Sequence, residues 1–483
     1  MSFLGLDLGT SGIRAVLLDD GGAVLGDAEA RYETQHLQDG WSEQDPSSWI
    51  IGLEKVVEAL RGSQPEFQNL RGIGVAGHMH GATLLDIENN VLRPCILWND
   101  TRSSAQAKEM NENPLYQRIS GNIVFPGFTA PKLAWVHNHE PELFSKVSKV
   151  LLPAAYLNFY LTGEHVADMS DSAGTVWFDL ENRAWSEALL DQSGMEPQQM
   201  PRLVEGSSKA GSLRPEIAAA WGVSGEVIVA GGAGDNAAAA CGMGVLNEGQ
   251  GFVSLGTSGV VLLARDQMRA APETALHTFC HAVPDRWYQM SVMLSAADSL
   301  SWLSNITGRT PAEMTNALGE TLQAPGSVSF APYLSGERTP HNDAFVRGGF
   351  SGLSAGTTVT DLTHAVLEGV CFGLRDGLEA MRETGAKFEG LYAVGGGSQS
   401  RYWLQMLSTI LNTALYLPKG GEFGAAMGAA RLGMVAATGA SVEDVMQVPD
   451  VEEVLQPTSE LVGAYDDAYQ RFQRLYPAFK SLV

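Results

Sequence analysis

The chain has 483 residues, enough for two or three domains. Hydrophobic residues make up 45% of it, which excludes a chain too polar to build a core. Against 55 acidic residues stand 31 basic ones, and a net charge of −24 argues against nucleic acid or an anionic membrane as partner.

The N-terminus runs Met1-Ser2-Phe3-Leu4-Gly5-Leu6-Asp7, with no basic stretch before the apolar run and Asp7 inside it. A leader peptide is therefore not expected. Nor does any stretch approach the roughly 20 apolar residues of a membrane span. Cys95, Cys241, Cys280 and Cys371 show no paired spacing, which suits a reducing compartment, and a cytoplasmic protein is expected.

Strands are predicted at Phe3–Leu8 and Ile13–Leu18, with Asp-Leu-Gly-Thr-Ser-Gly at residues 7–12 between them. A third strand, Ala23–Ala30, follows the turn Asp20-Gly21-Gly22. Asp45 then reads as an N-cap with Pro46 at the first helical position. Residues 72–77 match G-x-G-x-x-G, but more strand follows instead of a helix, so a dinucleotide site is not expected. In Gly77-His78-Met79-His80-Gly81, two histidines two apart share a strand face, and substrate contact or a hydrogen-bonded role fits better than zinc. Trp98, in Leu97-Trp98-Asn99-Asp100, is either core or a flat wall for a sugar.

In the middle, Gly231-Gly232-Ala233-Gly234-Asp235-Asn236 follows strand Val227–Ala230 and precedes a small-residue helix. Asp235 there is either a helix cap or an exposed carboxylate at a strand end, where α/β folds build sites. Glycines at 244, 249 and 251 mark a domain boundary near 244–250. Residues 254–259 then repeat the first loop as Ser-Leu-Gly-Thr-Ser-Gly, 247 residues after it, between strands Gly251–Leu255 and Val260–Ala264. A single such loop is an ordinary turn. Two copies point to paired anion-binding concavities, with Thr10, Ser11, Gly256, Thr257 and Ser258 offering backbone N–H and hydroxyl donors. With no Lys after the glycines and a strand after the loop, neither is a P-loop. Asp7 before the first copy can hold Mg²⁺, mostly through water.

His277 and His281 have metal-like spacing but a strand-like setting, and are expected to be buried structure. Asp361 is predicted to open a helix through Met381 that stops at Gly385. Val394-Gly395-Gly396-Gly397-Ser398 forms a strand-to-helix turn before helix Arg401–Asn412, suited to an anion or a flat base, and Ala425–Ala437 is a further helix.

Together these residues resemble the FGGY carbohydrate kinase family over essentially the whole chain. Two signature-like stretches carry the resemblance, Gly127–Val136 and Gly348–Leu353 running on into Asp361–Glu368, with Trp41–Pro46, Met79–Thr83, Leu97–Asp100 and Tyr333–Pro340 beside them. Within the family, the likeness is to members acting on D-xylulose. It implies an α/β, actin-like and hexokinase-like fold of two ribonuclease-H-like domains around a central cleft, residues 1–245 on the sugar side and 246–483 on the nucleotide side. It implies ATP and Mg²⁺, a small sugar as partner and the option of a homodimer. The resemblance places the general base at Asp235 and the metal at Asp7 and Asp235. It places sugar contacts at Met79, His80, Trp98, Asp235 and Asn236. Phosphate and nucleotide contacts fall on Thr10, Ser11, Arg14, Gly256, Thr257, Gly396, Gly397 and Ser398. A base of low pKa, taking the proton late, is expected. One departure is Ala233, where the family commonly has glycine. The rival readings are a kinase for ribulose, glycerol or another polyol, and a non-metabolic actin-like ATPase.

Overall fold

Each half of the chain opens with the same device. In the computed structural model, which describes residues 1–419 and 424–482, strand Ser2–Leu8 pairs antiparallel with Gly12–Asp19 and parallel with Leu70–Gly77. In the second half Gly251–Leu255 pairs antiparallel with Gly259–Arg265 and parallel with Gly390–Val394. The two Gly-Thr-Ser-Gly loops are thus equivalent hairpin turns. By the same topology, the turn after Gly77 and the turn after Val394 occupy corresponding places at the carboxyl ends of parallel strands, where open α/β sheets place ligands.

Among the described residues each sheet has seven strands. The first runs Lys209–Ser212, Ile228–Ala230, Leu70–Gly77, Ser2–Leu8, Gly12–Asp19, Val24–Arg31, with the short strand Ala233–Gly234 also on Leu70–Gly77. The second runs His277–Cys280, Trp287–Met293, Gly259–Arg265, Gly251–Leu255, Gly390–Val394, Ala414–Pro418, Val451–Leu455. Period-two alternation sends Leu4, Leu6 and Leu8 to one fully buried face, each contributing about 1.5–3 kcal/mol by burial. Gly5 faces the other side.

That other face is covered from far along the chain. Helix Ala425–Thr438 lies on the first sheet so closely that a methyl group on Gly5 would sit 1.9 Å from the Ala426 carbonyl oxygen. On Gly74 it would sit 1.8 Å from that of Ala429, and on Gly72 2.4 Å from that of Gly433. The glycines of the G-x-G-x-x-G stretch therefore serve helix packing inside strand Leu70–Gly77. The same helix meets helix Asp235–Met243 at Gly428, where a Cβ would lie 1.8 Å from the Ala238 oxygen.

The helix expected to open at Asp361 begins at Val359. Thr358 is its cap, and Asp361 sits at the third helical position of a reciprocal capping box, with its carboxylate accepting from the Thr358 N–H at 2.8 Å. It ends at Glu383, and Gly385 follows with φ 85°. No described helix is long and apolar enough to cross a membrane.

Candidate active site

The first Gly-Thr-Ser-Gly turn is tied down from below. Tyr32 Oη donates to the Gly9 carbonyl at 2.5 Å, and Gln44 Nε2 to that of Thr10 at 2.5 Å. Trp98 Nε1 donates to Thr10 Oγ1 at 3.0 Å, which fixes the rotor of that hydroxyl. Ser11 is exposed. Arg14 lies across the ladder from Asp7 and reaches Asp27 at 3.4 Å. Neither Tyr32 nor Gln44 stands out in the sequence; Gln44 lies within the family-like Trp41–Pro46 run, without an assigned role.

The turn at His78–Gly81 differs from the strand geometry expected. Strand Leu70–Gly77 ends before the histidines, and His80 adopts φ 70°. The two rings therefore face different surroundings. His78 is buried edge-on to Trp49, and among the described residues neither ring nitrogen has a partner. The His80 ring stacks on Phe128 at 4.3 Å between centroids. Its Nδ1 bonds the Gly174 carbonyl at 2.7 Å, so in the neutral ring Nδ1 donates and Nε2 is left as an acceptor. Burial, then the Lys132 charge, pushes the His80 pKa down to about 3, so the ring is neutral. Lys132 Nζ and Thr129 Oγ1 both donate to the His80 carbonyl, at 2.8 and 3.2 Å, and hold the unusual backbone. Gly174 is required here, because a Cβ would lie 2.6 Å from the His80 ring.

Asp235 is the first residue of its helix; Gly234 is the cap. Extended Ala233 pairs with Ala76 and is fully buried, while the left-handed φ of the turn falls on Gly232 at 88°. Alanine at 233 thus leaves the turn undisturbed. Ser170 Oγ accepts the Gly234 N–H at 3.2 Å and donates to Asp168 at 2.5 Å, buttressing the turn from a neighbouring helix. Both the backbone and side-chain amides of Asn236 donate to Asp235 Oδ1, at 2.7 and 2.8 Å. The other oxygen carries no hydrogen bond among the described residues. Asn236 thus orients the carboxylate through its backbone N–H and one side-chain N–H. Burial raises the Asp235 pKa to about 6, against the low value expected from sequence, while the Asn236 bonds pull the other way. The Gly234 Cα leans on Met79, whose Cγ a Cβ would meet at 2.8 Å, so the turn before Asp235 and the Met79–His80 turn are in contact.

Asp7 stands close enough to Asp235 to feel its charge. Burial first, then Asp235, lift its pKa to about 7, and Arg14 opposes. Two crowded carboxylates suit a divalent cation, and Mg²⁺ characteristically takes one or two carboxylates and completes its shell with water and phosphate oxygens. Asp7 and Asp235 fit it on that ground.

In the second half, the Ala297 N–H donates to the Gly256 carbonyl and the Ala296 N–H to that of Thr257, each at 2.9 Å. These bonds seat the start of helix Ala297–Thr307 on the second loop. That helix, the segment Pro311–Glu320 and the turn Gly396–Trp403 enclose a cavity of about 870 Å³. Gly396 and Gly397 line it; Ser398 does not, and its hydroxyl donates to the Gly395 carbonyl at 2.6 Å. Gly395 has φ 90° and lies against Leu255, and a Cβ on Gly396 would meet nothing within 4 Å. A volume of that size with mixed walls fits a nucleoside. Its walls at 297–320 carried no signal in the sequence.

His277 and His281 are buried on and just beyond strand His277–Cys280, and Nε2 of His281 bonds the Val245 carbonyl at 2.9 Å.

Known proteins match this arrangement end to end. Residues 2–242 and 251–437 match the N-terminal and C-terminal domains of the FGGY family of carbohydrate kinases. The chain is 44% identical to the xylulose kinase of Escherichia coli (strain K12), covering 100% of both chains. It is 35% identical to that of Bacillus subtilis (strain 168), covering 99% of this chain and 97% of the other. The crystal structure of a xyloylose kinase from Brucella ovis superposes with a TM-score of 0.99 at 54% identity, over 100% of each chain. A glycerol kinase from Plasmodium falciparum, at 19% identity and a TM-score of 0.88 over 98% of each chain, shares the fold. The two mixed sheets are those of the actin-like fold. The chain belongs to the FGGY family of carbohydrate kinases.

Proposed function

We propose that the protein transfers the γ-phosphoryl group of ATP to the 5-hydroxyl of D-xylulose. The observation that carries this is the meeting of Asp7 and Asp235 beside the Met79–His80 turn, in a chain matched along its full length by xylulose kinases.

The sugar binds first, against Met79, His80 and Trp98. Neutral His80 offers Nε2 to a hydroxyl, and Asn236 keeps Asp235 turned toward the cleft. Thr10, Ser11, Arg14, Gly256 and Thr257 hold the phosphates between the two loops, while Gly396 and Gly397 pack against the nucleoside, with Ser398 bracing their turn. Asp7, with Asp235 nearby, would hold magnesium, which when bound would supply charge neutralisation to the phosphates. Asp235, ionised at neutral pH, takes the hydroxyl proton as the sugar oxygen attacks. Because phosphoryl transfer runs through a loose transition state, positioning and charge neutralisation dominate. Closure of the halves keeps water from taking the place of the sugar. Residues 1–245 form the sugar side and 246–483 the nucleotide side, with helix Ala425–Thr438 lent back to the first sheet. The four free, buried cysteines suit a cytoplasmic setting, and a homodimer is the assembly to test by mass measurement.

Coupled ADP release measured across D-xylulose, the ribuloses, xylitol and glycerol tests the assignment. D-xylulose is expected to give the highest kcat/KM. A strong preference for a ribulose or glycerol would replace the substrate, and ATP turnover independent of sugar would replace the activity.

A further inference from the structure

Arg338 belongs to the second half of the chain and is not assigned by any of the chemistry above. Its neighbour Glu337 is committed elsewhere, since Oε1 accepts the backbone N–H groups of Leu294 at 3.1 Å and of Arg338 at 2.8 Å. Among the described residues no carboxylate oxygen lies within 4.0 Å of the guanidinium. Its hydrogen-bonding contact is a long one, from Nη1 to Nε2 of His277 at 3.5 Å. The group instead lies over the ring of Phe125, 4.4 Å from its centroid. A guanidinium carries five N–H donors and no acceptor, so a largely buried one with a single weak partner is set up for a ligand. His277 adds a second unsatisfied group, because its buried Nδ1 has no partner among the described residues.

A continuous wall joins this place to the phosphorylation site. The turn before Asp235 rests on Met79. Met79 precedes His80, whose ring stacks on Phe128. Phe128 in turn packs 5.5 Å from Phe125 and 6.0 Å from His277, the two rings that hold Arg338. Asp235 stands at one end of this wall and Arg338 at the other. A ketopentose with its 5-hydroxyl at Asp235 would extend its carbonyl end along the wall, and a carbonyl oxygen only accepts, as a guanidinium only donates.

We propose that Arg338 is a specificity-determining residue that reads the C1–C2 end of the ketose, its guanidinium donating to the carbonyl oxygen. The inference rests on a ketopentose being the substrate. It also means that the second half of the chain contributes directly to sugar recognition.

The test compares wild type, R338Q and R338K in steady state, with D-xylulose as substrate and xylitol, the same carbon chain with the carbonyl reduced, as competitive inhibitor. Loss of a charge-assisted bond predicts a D-xylulose KM raised roughly 10- to 100-fold in R338Q, with the ATP KM unchanged and the xylitol Ki moved less than about threefold. R338K keeps a charge without the fork and should show a smaller rise; it also serves if R338Q has a depressed Tm. An unchanged D-xylulose KM in either folded variant, or equal weakening of xylulose and xylitol, would overturn the proposal. Should wild type prefer another ketose, the substrate assignment falls, and the same split measured with that ketose still decides the role of Arg338.

Discussion

The indole N–H of Trp98 and the hydroxyl of Thr10 are hydrogen-bonded at 3.0 Å across 88 residues of chain. Trp98 is 45% exposed, so this bond, more than burial, holds the ring at the mouth of the cleft. It makes one unit of the aromatic proposed to face the sugar and the loop hydroxyl proposed to face phosphate. W98F keeps the ring and removes the donor. A neutral hydrogen bond is worth about 0.5–1.5 kcal/mol net, so KM for ATP at saturating sugar should rise roughly 2- to 10-fold, with little change in Tm. An ATP KM equal to that of wild type would show that the bond does not shape the loop.

Asp235→Asn keeps the shape of the side chain and removes the base. kcat should fall roughly 10²- to 10⁴-fold or more, while nucleotide binding, followed by fluorescence titration, stays close to wild type. With burial raising the carboxyl to about 6, wild-type kcat/KM for sugar should also drop as pH falls below that value, because the protonated acid cannot accept. Near-full activity in D235N would remove Asp235 from the chemistry.

The approach of helix Ala425–Thr438 to the first sheet gives a steric prediction. In G74A the new methyl would meet backbone, the Ala429 oxygen at 1.8 Å and its carbonyl carbon at 2.6 Å, and no rotamer can relieve it. Destabilisation of about 1–3 kcal/mol or more is expected, read as a lower denaturant midpoint. Gly62, in helix Pro46–Ser63 with nothing within 4 Å, is the control. G62A should be neutral or stabilising by up to about 1 kcal/mol.

Stability should fall on the alkaline side of about pH 6.5. Burial raises Glu337 and Glu368 to about 8 and Asp376 to about 7. Their protonated forms are favoured by folding, so their contribution is full below the unfolded carboxyl value and is lost as pH rises through about 7–8. Burial also lowers His78 to about 3, and His281 and His341 to about 4. Their contribution is full above the unfolded histidine value, about 6.5, and is lost as pH falls below it. Between about pH 4.5 and 6.5 the two sets oppose each other and Tm should change little; above about 6.5 only the carboxyls keep losing their contribution, so Tm should fall from there toward about pH 8. E368Q should flatten the alkaline limb; a Tm that climbs steadily to pH 8.5 would contradict this account.

What the sequence reveals is what short-range rules determine. The hairpins around both Gly-Thr-Ser-Gly loops, the cap at Asp45 and the turn at Gly395–Gly397 follow from alternation, glycine and proline within a few residues. Asp361 marks the helix start late by most of a turn because Asp and Thr are both good caps, and Thr358 takes the role three residues earlier. His80 was misjudged because period-two alternation cannot foretell a φ of 70°, which depends on Lys132 and Thr129 half a hundred residues away. The glycines at 72 and 74 were visible as a motif, but their use lay with a helix over 350 residues downstream. Arg338 and the cavity wall at 297–320 gain meaning only from what folding brings beside them.

Helix Ala425–Thr438 also sets an order of events during synthesis. The glycines that meet this helix, Gly5, Gly72 and Gly74, are made by residue 77 and the last strand of the first sheet by residue 234, yet the cover is not made until residue 438. From the end of helix Asp235–Met243, about 200 further residues must emerge, roughly 10–40 s at ribosomal speed. For that interval the nascent first half carries a bare apolar surface suited to chaperone capture. A fragment ending near residue 242 should therefore aggregate when expressed alone, and recover when residues 243–483 are supplied in the same cell.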